Sequence, residues 1–133
     1  MNPLMGPDTL QPFLACANQF GKGLFVLCRT SNPGATWLQD KKIGEHSVSD
    51  HLAELIGRLA EEYRHSSSLS SIGAVIGATV PKEGRRLRRM LAHSVILAPG
   101  LGAQGGDATA IHALRGGSPA DLCFCVSRID AHW

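Results

Sequence analysis

The turn from Ala98 to Asp107 carries residue types that can bind an anion. It contains four glycines, follows the apolar run at residues 95–97 and precedes residues 108–114, which have the pattern of a short helix. A glycine-rich turn between a strand and a helix exposes backbone N–H groups to a phosphate, because no Cβ atom blocks the approach. Gln104 is the one side chain of this turn with both a donor and an acceptor. The same glycines also fit an ordinary strand-to-helix turn, so this pattern leaves both interpretations open.

A second candidate for anion binding is Arg128, which follows the apolar run at residues 122–126. An arginine at the carboxyl end of a buried strand can bind a phosphate with two parallel hydrogen bonds. In βα barrels the phosphate site is frequently built from the last two strand-to-helix loops. Here those two loops hold the glycine-rich turn and Arg128. The alternative for Arg128 is a solvent-exposed charge at the end of a strand.

Four helix patterns and four strand patterns alternate along the chain and would position these loops. The predicted helices begin at a proline or a capping residue: Pro7, Ser49, Pro81 and Asp107. The predicted strands are apolar runs at residues 24–28, 72–79, 95–97 and 122–126. The first helix has an apolar stripe of Leu10, Phe13 and Leu14, and residues 35–47 are predicted to form a loop.

This alternation predicts an α/β fold with a parallel sheet, crossover helices and polar loops at the carboxyl ends of the strands. Four strands do not close a barrel, and a complete (β/α)8 barrel typically needs about 250 residues. The chain has 133 residues and ends immediately after the fourth strand pattern. We therefore predict that residues 1–133 form a single partial domain, the C-terminal half of a (β/α)8 TIM barrel.

Composition favours a globular protein without a general affinity for nucleic acids or membranes. The chain is 44% hydrophobic and 18% charged, with a formal net charge of +2. The one basic cluster, at residues 85–89, is predicted to be the solvent-exposed face of a helix. No apolar run reaches the roughly 18 residues of a membrane span, and no signal peptide is recognisable. We expect a cytoplasmic protein.

The cysteines and histidines predict neither a metal site nor a catalytic set. The four cysteines lie in apolar segments, which favours buried free thiols. Cys123 and Cys125 share one face of a strand, but no paired metal-ligand spacing accompanies them. His46 and His51 are five residues apart, one more than the spacing of ligands on one helix face, and they, His112 and His132 are expected to be surface residues and not ligands. Ser31 has no sequence neighbour that would activate it as a nucleophile.

Four motifs, read together, resemble one family. They are residues 25–33, which include Arg29-Thr30-Ser31-Asn32-Pro33; residues 73–79 followed by Pro81; residues 99–106; and Ser127-Arg128. They occur in the order seen in orotidine 5′-phosphate decarboxylases, in particular the bacterial subgroup with the Arg-Thr-Ser-Asn-Pro signature. Residues 1–6 also resemble that subgroup's Val-Asn-Pro-Tyr-Leu-Gly. The resemblance covers nearly the whole chain.

The resemblance implies a (β/α)8 barrel, usually a homodimer, that converts orotidine 5′-phosphate to UMP and carbon dioxide in pyrimidine biosynthesis without metal or cofactor. By matched motif, Ser31 would hydrogen-bond the edge of the pyrimidine. Gln104 would bridge the phosphate and a pyrimidine carbonyl. Arg128 and the backbone around Gly105 and Gly106 would hold the phosphate.

The chain departs from the family at the catalytic array. Family members carry a catalytic lysine in an Asp-x-Lys-x-x-Asp array on earlier strands, and this lysine protonates C6 after carbon dioxide leaves. No such array occurs here, and Asp40 beside Lys41 lies in a stretch predicted as a loop. We expect the ligand-binding residues without a catalytic residue, and negligible decarboxylase activity for this chain alone. Two alternatives remain: a non-catalytic half-barrel that binds a nucleotide monophosphate, and another phosphate-binding barrel enzyme.

Overall fold

A computed structural model describes residues 1–64, 67–102 and 105–127. The helices are α1 (Gln11–Gln19), α2 (Val48–Glu62), α3 (Pro81–Met90) and α4 (Ala108–Leu114). The strands are β1 (Leu24–Arg29), β2 (Lys42–Ile43), β3 (His46–Ser47), β4 (Ile72–Ile76), β5 (Ile96–Gly102) and β6 (Leu122–Ser127). Two short 3-10 helices span Pro7–Leu10 and Pro33–Trp37. The predicted alternation of four helices with four long strands is confirmed.

The four long strands form one parallel sheet in the order β1-β4-β5-β6. Leu24 of β1 is opposite Ile72 of β4, and Ile96 of β5 is opposite Leu122 of β6. All four strands therefore end at the same edge of the sheet, which is where the loops predicted to bind ligand leave it. The two remaining strands, β2 and β3, pair with each other as a small antiparallel hairpin.

The core lies on one face of this sheet. Alternate strand residues such as Val26, Ala74 and Ile96 are buried there against Ile56 of α2 and Leu87 of α3. Residues of the opposite parity lie outside this core and are half-buried or exposed: Phe25, Val75, Leu97 and Cys123. Helices packed on one face of a parallel sheet are the arrangement of a barrel wall. The predicted partial barrel is therefore confirmed as a four-stranded wall with its helices outside.

Helix α2 begins two residues earlier than predicted. Ser47, not Ser49, caps it: the Ser47 hydroxyl accepts from the Asp50 N–H at 3.1 Å, and the Asp50 carboxylate accepts from the Ser47 N–H at 2.8 Å. The Ser49 hydroxyl instead donates to the Gln39 carbonyl at 2.7 Å. The prediction of a continuous loop over residues 35–47 was also wrong. The β2–β3 hairpin lies at the end of this range and leads directly into the cap of α2.

Several burial predictions fail where an element has a neighbour on one side only. Phe13 on α1 is 50% exposed, whereas Leu10 and Leu14 are fully buried. The prediction of four buried thiols is wrong, because only Cys28 is buried and the other three cysteines are exposed. Two of these lie on β6, the last strand of the sheet order, where Phe124 is also 47% exposed. Burial raises the pKa of the Cys28 thiol to about 12.

The prediction that the basic cluster is a solvent-exposed face is wrong for Arg88, whereas Arg85, Arg86 and Arg89 are exposed as predicted. The Arg88 side chain is only 8% exposed; its Nη1 donates to the Ser94 carbonyl at 2.7 Å, and its Nη2 lies 3.6 Å from a carboxylate oxygen of Asp121. Arg86 donates from Nε to the Asp50 carboxylate at 2.8 Å. Helical periodicity shows that arginines share a face, but only the tertiary fold shows which acceptors that face meets.

Candidate functional site

An open cavity of about 610 Å³ lies at the carboxyl ends of β1 and β4. The residues that line it come from the loops after these two strands: Arg29, Ser31, Asn32, Pro33, Thr36, Thr79 and Val80. Its position agrees with the sequence prediction that polar loops gather at this edge. Ser31, the residue predicted to read a pyrimidine, is on the wall of this cavity.

Ser31 is held in place by the turn that follows β4. The Gly77 N–H donates to the Arg29 carbonyl at 2.7 Å, and the Thr79 hydroxyl donates to the Ser31 carbonyl at 3.1 Å. A Cβ atom on Gly77 would lie 2.6 Å from the Ser31 Cα, closer than real Cβ atoms approach. The loop after β1 can therefore lie this close to β4 only because residue 77 is glycine.

The loop that carries Ser31 is further ordered by Arg29. Its guanidinium donates from Nε and Nη2 to the two carboxylate oxygens of Asp40, at 2.8 and 3.0 Å, and from Nη1 to the Thr30 carbonyl. The Thr30 N–H donates in turn to the Gln39 side-chain oxygen at 2.8 Å. The Arg29 charge is thus paired within the protein, and the pair ties both ends of residues 29–40 together.

Asp40 belongs to a segment closer to the catalytic array than the sequence prediction recognised. Residues 40–45 read Asp-Lys-Lys-Ile-Gly-Glu, so Lys42 has the spacing of the array with a glutamate in place of the last aspartate. The structure places Lys42 exposed in the β2–β3 hairpin and holds Asp40 on Arg29. Lys42 lines a smaller groove, of about 340 Å³, and not the cavity beside Ser31.

The structure places the first part of the predicted glycine-rich turn in β5, which extends to Gly102 and does not end at residue 97, and residues 105–106 fold back onto the end of this strand. Gly100, Gly102 and Gly105 have φ angles of 96°, 86° and 89°, a region that side chains rarely adopt. The Gly106 N–H donates to the Gly100 carbonyl at 3.1 Å, and the Gly105 N–H donates to the Gly102 carbonyl at 2.8 Å. A phosphate bound at these two amides must therefore share or displace hydrogen bonds of the turn itself.

The N-terminus of α4 is already occupied by a carboxylate. Asp107 accepts from the N–H groups of Thr109 and Ala110, at 2.9 and 3.3 Å. This cap satisfies two of the first amides of the helix and places negative charge where the sequence analysis expected an anion. The contribution of the helix end to phosphate binding is therefore not supported, and the expectation rests on the turn and on the predicted side chains.

Gln104 and Arg128, two of the predicted ligand-binding residues, lie outside the described residues, so their roles stay predictions. Ser31, Gly105 and Gly106 are described. Sequence reasoning assigned no role to Gly77 and Thr79, although both lie in a motif that carries the family resemblance. The sequence did contain a signal for these two residues. A strand followed by Gly-Ala-Thr places a small residue and a hydroxyl beside the loop that follows the neighbouring strand.

In the described part of the chain, no group of three histidine, cysteine or acidic residues is arranged to hold a metal ion. His46 and His51 do meet at the surface, with Nδ1 atoms 3.8 and 3.9 Å from the Glu54 carboxylate. Over the same residues, none of the helices combines the length and apolar character that a membrane crossing requires.

Comparison with known proteins places this site in a family. Residues 1–120 match the model of the orotidine 5′-phosphate decarboxylase / HUMPS family. The chain belongs to this family. It is 38% identical over 128 residues to an orotidine 5′-phosphate decarboxylase of Rhodopirellula baltica, and 42% identical over 121 residues to one of Delftia acidovorans. These matches cover 96% and 90% of this chain and 42% of each relative.

The fold agrees with this assignment. The structure of Leishmania donovani OMP decarboxylase superposes with a TM-score of 0.74 and 29% identity, over 96% of this chain and 46% of that one. The chain thus spans less than half the length of these family members. The resemblance stated from the four motifs is confirmed, as is its correspondence to one half of a longer decarboxylase barrel.

Proposed function

We propose that this chain supplies the substrate-binding half of an orotidine 5′-phosphate decarboxylase. Ser31 would contact the pyrimidine, and Gln104, Arg128 and the turn at Gly105 and Gly106 would contact the phosphate. One observation carries the proposal: the Ser31 loop and the glycine-rich turn both pack against the turn after β4, at the carboxyl edge of the sheet. A site with a base-reading side chain and a phosphate turn fits a nucleoside monophosphate.

The reaction would be the loss of carbon dioxide from orotidine 5′-phosphate, which leaves a carbanion at C6 that must gain a proton to give UMP. Phosphate contacts remote from C6 can stabilise the transition state by orienting the reacting ring. They do not donate the proton, and a positioned general acid contributes roughly 10²- to 10⁴-fold to the rate. No Asp-x-Lys-x-x-Asp array occurs in these 133 residues. The chain by itself would therefore bind the nucleotide with negligible decarboxylation.

The proposal extends to assembly and compartment. The chain would act with a catalytic half-barrel that carries the lysine, in a homodimeric enzyme of the cytoplasm, and neither nucleic acid nor a membrane would be a partner. No cofactor is required, because the proton donor and the binding groups are side chains and backbone. The strand residues on the face opposite the core, such as Val75 and Leu97, form the surface that the remaining strands of a barrel would enclose.

The first test is calorimetric titration of the purified chain with UMP and 6-azaUMP, beside Arg128→Ala. We expect the chain to bind both nucleotides. Arg128→Ala should weaken binding about tenfold or more, because charge-assisted hydrogen bonds contribute about 1.5–3 kcal/mol. Arg85→Ala removes the same charge from an exposed helix position and serves as the matched control. Nucleotide binding that Arg128→Ala leaves unchanged would contradict the phosphate role of Arg128.

A second measurement tests the division of labour between the halves. The part of the Rhodopirellula baltica relative that lies outside the match is mixed with this chain and assayed for release of carbon dioxide. We expect activity in the mixture and none in either half alone. Normal turnover by this chain alone would contradict the proposal that catalysis needs residues from another half.

A further inference from the structure

The turn Gly77-Ala78-Thr79, which we call the spacer turn, lies between the two parts of the proposed ligand site. It follows β4, the strand between β1 and β5 in the sheet order. Because the strands are parallel, the spacer turn leaves the sheet at the same edge as the loop after β1 and the turn after β5. It is therefore placed to contact both.

On the β1 side, the spacer turn holds the backbone of Ser31 at two points. The missing side chain of Gly77 allows close packing against Ser31, and the Thr79 hydroxyl donates to the Ser31 carbonyl at 3.1 Å. Thr79 and Ser31 both line the cavity at this edge. The threonine hydroxyl therefore orients the residue that would read the base, at the place where the base would bind.

On the β5 side, the middle of the spacer turn holds the glycine-rich turn. The Ala78 N–H donates to the Pro99 carbonyl at 2.8 Å. A Cβ atom on Gly106 would lie 2.8 Å from the Ala78 Cβ and 3.0 Å from the Ala78 carbonyl oxygen, so Gly106 packs directly on Ala78. Three consecutive residues thus separate the residue predicted to read the base from the turn predicted to hold the phosphate.

We propose that the spacer turn sets the distance between the base-reading and phosphate-binding parts of the site, with Thr79 as a positioning residue for base recognition. The proposal rests on the proposed function, because it takes the ligand to be a pyrimidine nucleoside monophosphate. It adds that the affinity for the base depends on Thr79, whereas the affinity for the sugar phosphate does not. The affinity of a ligand that spans both parts depends on the distance between them, whereas the affinity of a ligand that occupies only the phosphate part does not.

The experiment compares UMP with ribose 5-phosphate, which lacks the base, on the purified full chain and two variants of Thr79. Thr79→Val keeps the size of the side chain and removes the donor to Ser31. Thr79→Ser keeps the hydroxyl. Because one hydrogen bond contributes about 0.5–1.5 kcal/mol, Thr79→Val should weaken UMP about threefold to tenfold and ribose 5-phosphate less than twofold. Thr79→Ser should restore most of the UMP affinity.

A second pair of variants tests the packing. Gly77→Ala forces a Cβ into the Ser31 backbone, whereas Gly117→Ala places one in open space and is the matched control. We expect Gly77→Ala to reduce the preference for UMP over ribose 5-phosphate and Gly117→Ala to leave it unchanged. Thermal unfolding of each variant separates loss of the fold from loss of the preference.

The outcomes distinguish the two proposals. If the unmodified chain binds neither ligand, the proposed function fails and this inference fails with it. If it binds both, and Thr79→Val weakens both equally or neither, the proposed function stands and the positioning role of Thr79 is wrong. A selective loss for UMP that Thr79→Ser restores supports the positioning role, because a purely structural defect would not distinguish the two ligands.

Discussion

The two ends of the sheet each contain an arginine–aspartate pair, and the two pairs serve different purposes. At the amino end, Arg88 and Asp121 are both almost fully buried, and Asp121 also accepts from the N–H groups of Gly116 and Ser118 at 3.2 and 2.9 Å. At the carboxyl end, Arg29 is buried, but its partner Asp40 is 37% exposed beside an open cavity. The first pair is enclosed by protein on all sides, and the second borders the candidate site.

The difference shows how a barrel wall divides stability from function. The amino-end pair joins α3 to the segments before β5 and β6. Removing either partner would leave the other as an unpaired buried charge. The carboxyl-end pair orders the loop that displays Ser31, where the neighbouring space is left open for a ligand. Arg29 lines the cavity, yet its Nε and Nη2 atoms both donate to the Asp40 carboxylate. A charged residue in a cavity wall is therefore not by itself a ligand-binding group.

The largest effect is expected from Asp121→Ala. The variant leaves the buried Arg88 guanidinium without its counter-ion, and burial already lowers the pKa of Arg88. Removing one partner of a buried pair costs about 3–5 kcal/mol, which chemical denaturation would measure as a lower midpoint. Glu61→Ala is the control, because it breaks only contacts at the surface, with Arg64 and His93, and should cost less than about 1 kcal/mol. Equal losses in the two variants would remove the distinction between buried and exposed pairs.

A smaller loss of stability is expected from Asp40→Ala at the opposite end. Water can reach this pair from the Asp40 side, so the unpaired Arg29 should cost about 1–3 kcal/mol. The variant should also weaken UMP binding, because the Ser31 loop loses its anchor, whereas Asp121→Ala refolded at low denaturant should retain UMP affinity. Unfolding and calorimetry on both variants test the comparison. It breaks down if Asp121→Ala weakens UMP binding as strongly as Asp40→Ala does.

The smallest effect concerns pH and the third pair, Arg86 with Asp50. Burial raises the pKa of the Asp50 carboxyl, but hydrogen bonds from Ser47 and Arg86 outweigh it and lower the pKa below the ordinary value of 3.8. Because the folded-state pKa is the lower one, this stabilisation is complete above the unfolded value and is lost as pH falls through the folded-state pKa. Unfolding free energies from about pH 6 down to pH 3 should fall more steeply for the unmodified chain than for Asp50→Asn. Parallel curves would show that Asp50 contributes nothing to acid sensitivity.

Much of the fold could be predicted from the sequence because it depends on local patterns. Continuous apolar runs and regularly spaced apolar faces located all four long strands and all four helices. Errors arose where a neighbour decides the outcome. The cap of α2 moved from Ser49 to Ser47 because the hairpin before it ends there, and Cys123 is exposed because its side chain lies on the face of the sheet opposite the core.

The candidate site divides in the same way. The sequence by itself determined the family, the order of the strands along the chain and the residue types available to bind a phosphate and a base. These depend on motifs that can be read directly along the chain. The sequence also predicted the Asp107 cap of α4, and only the tertiary structure showed that Asp40 pairs with Arg29 and that Gly77 and Thr79 hold Ser31. The contact of Thr79 with Ser31 joins two loops that are 48 residues apart in the chain. The parallel sheet brings these loops together, because it places the carboxyl ends of separate strands at one edge.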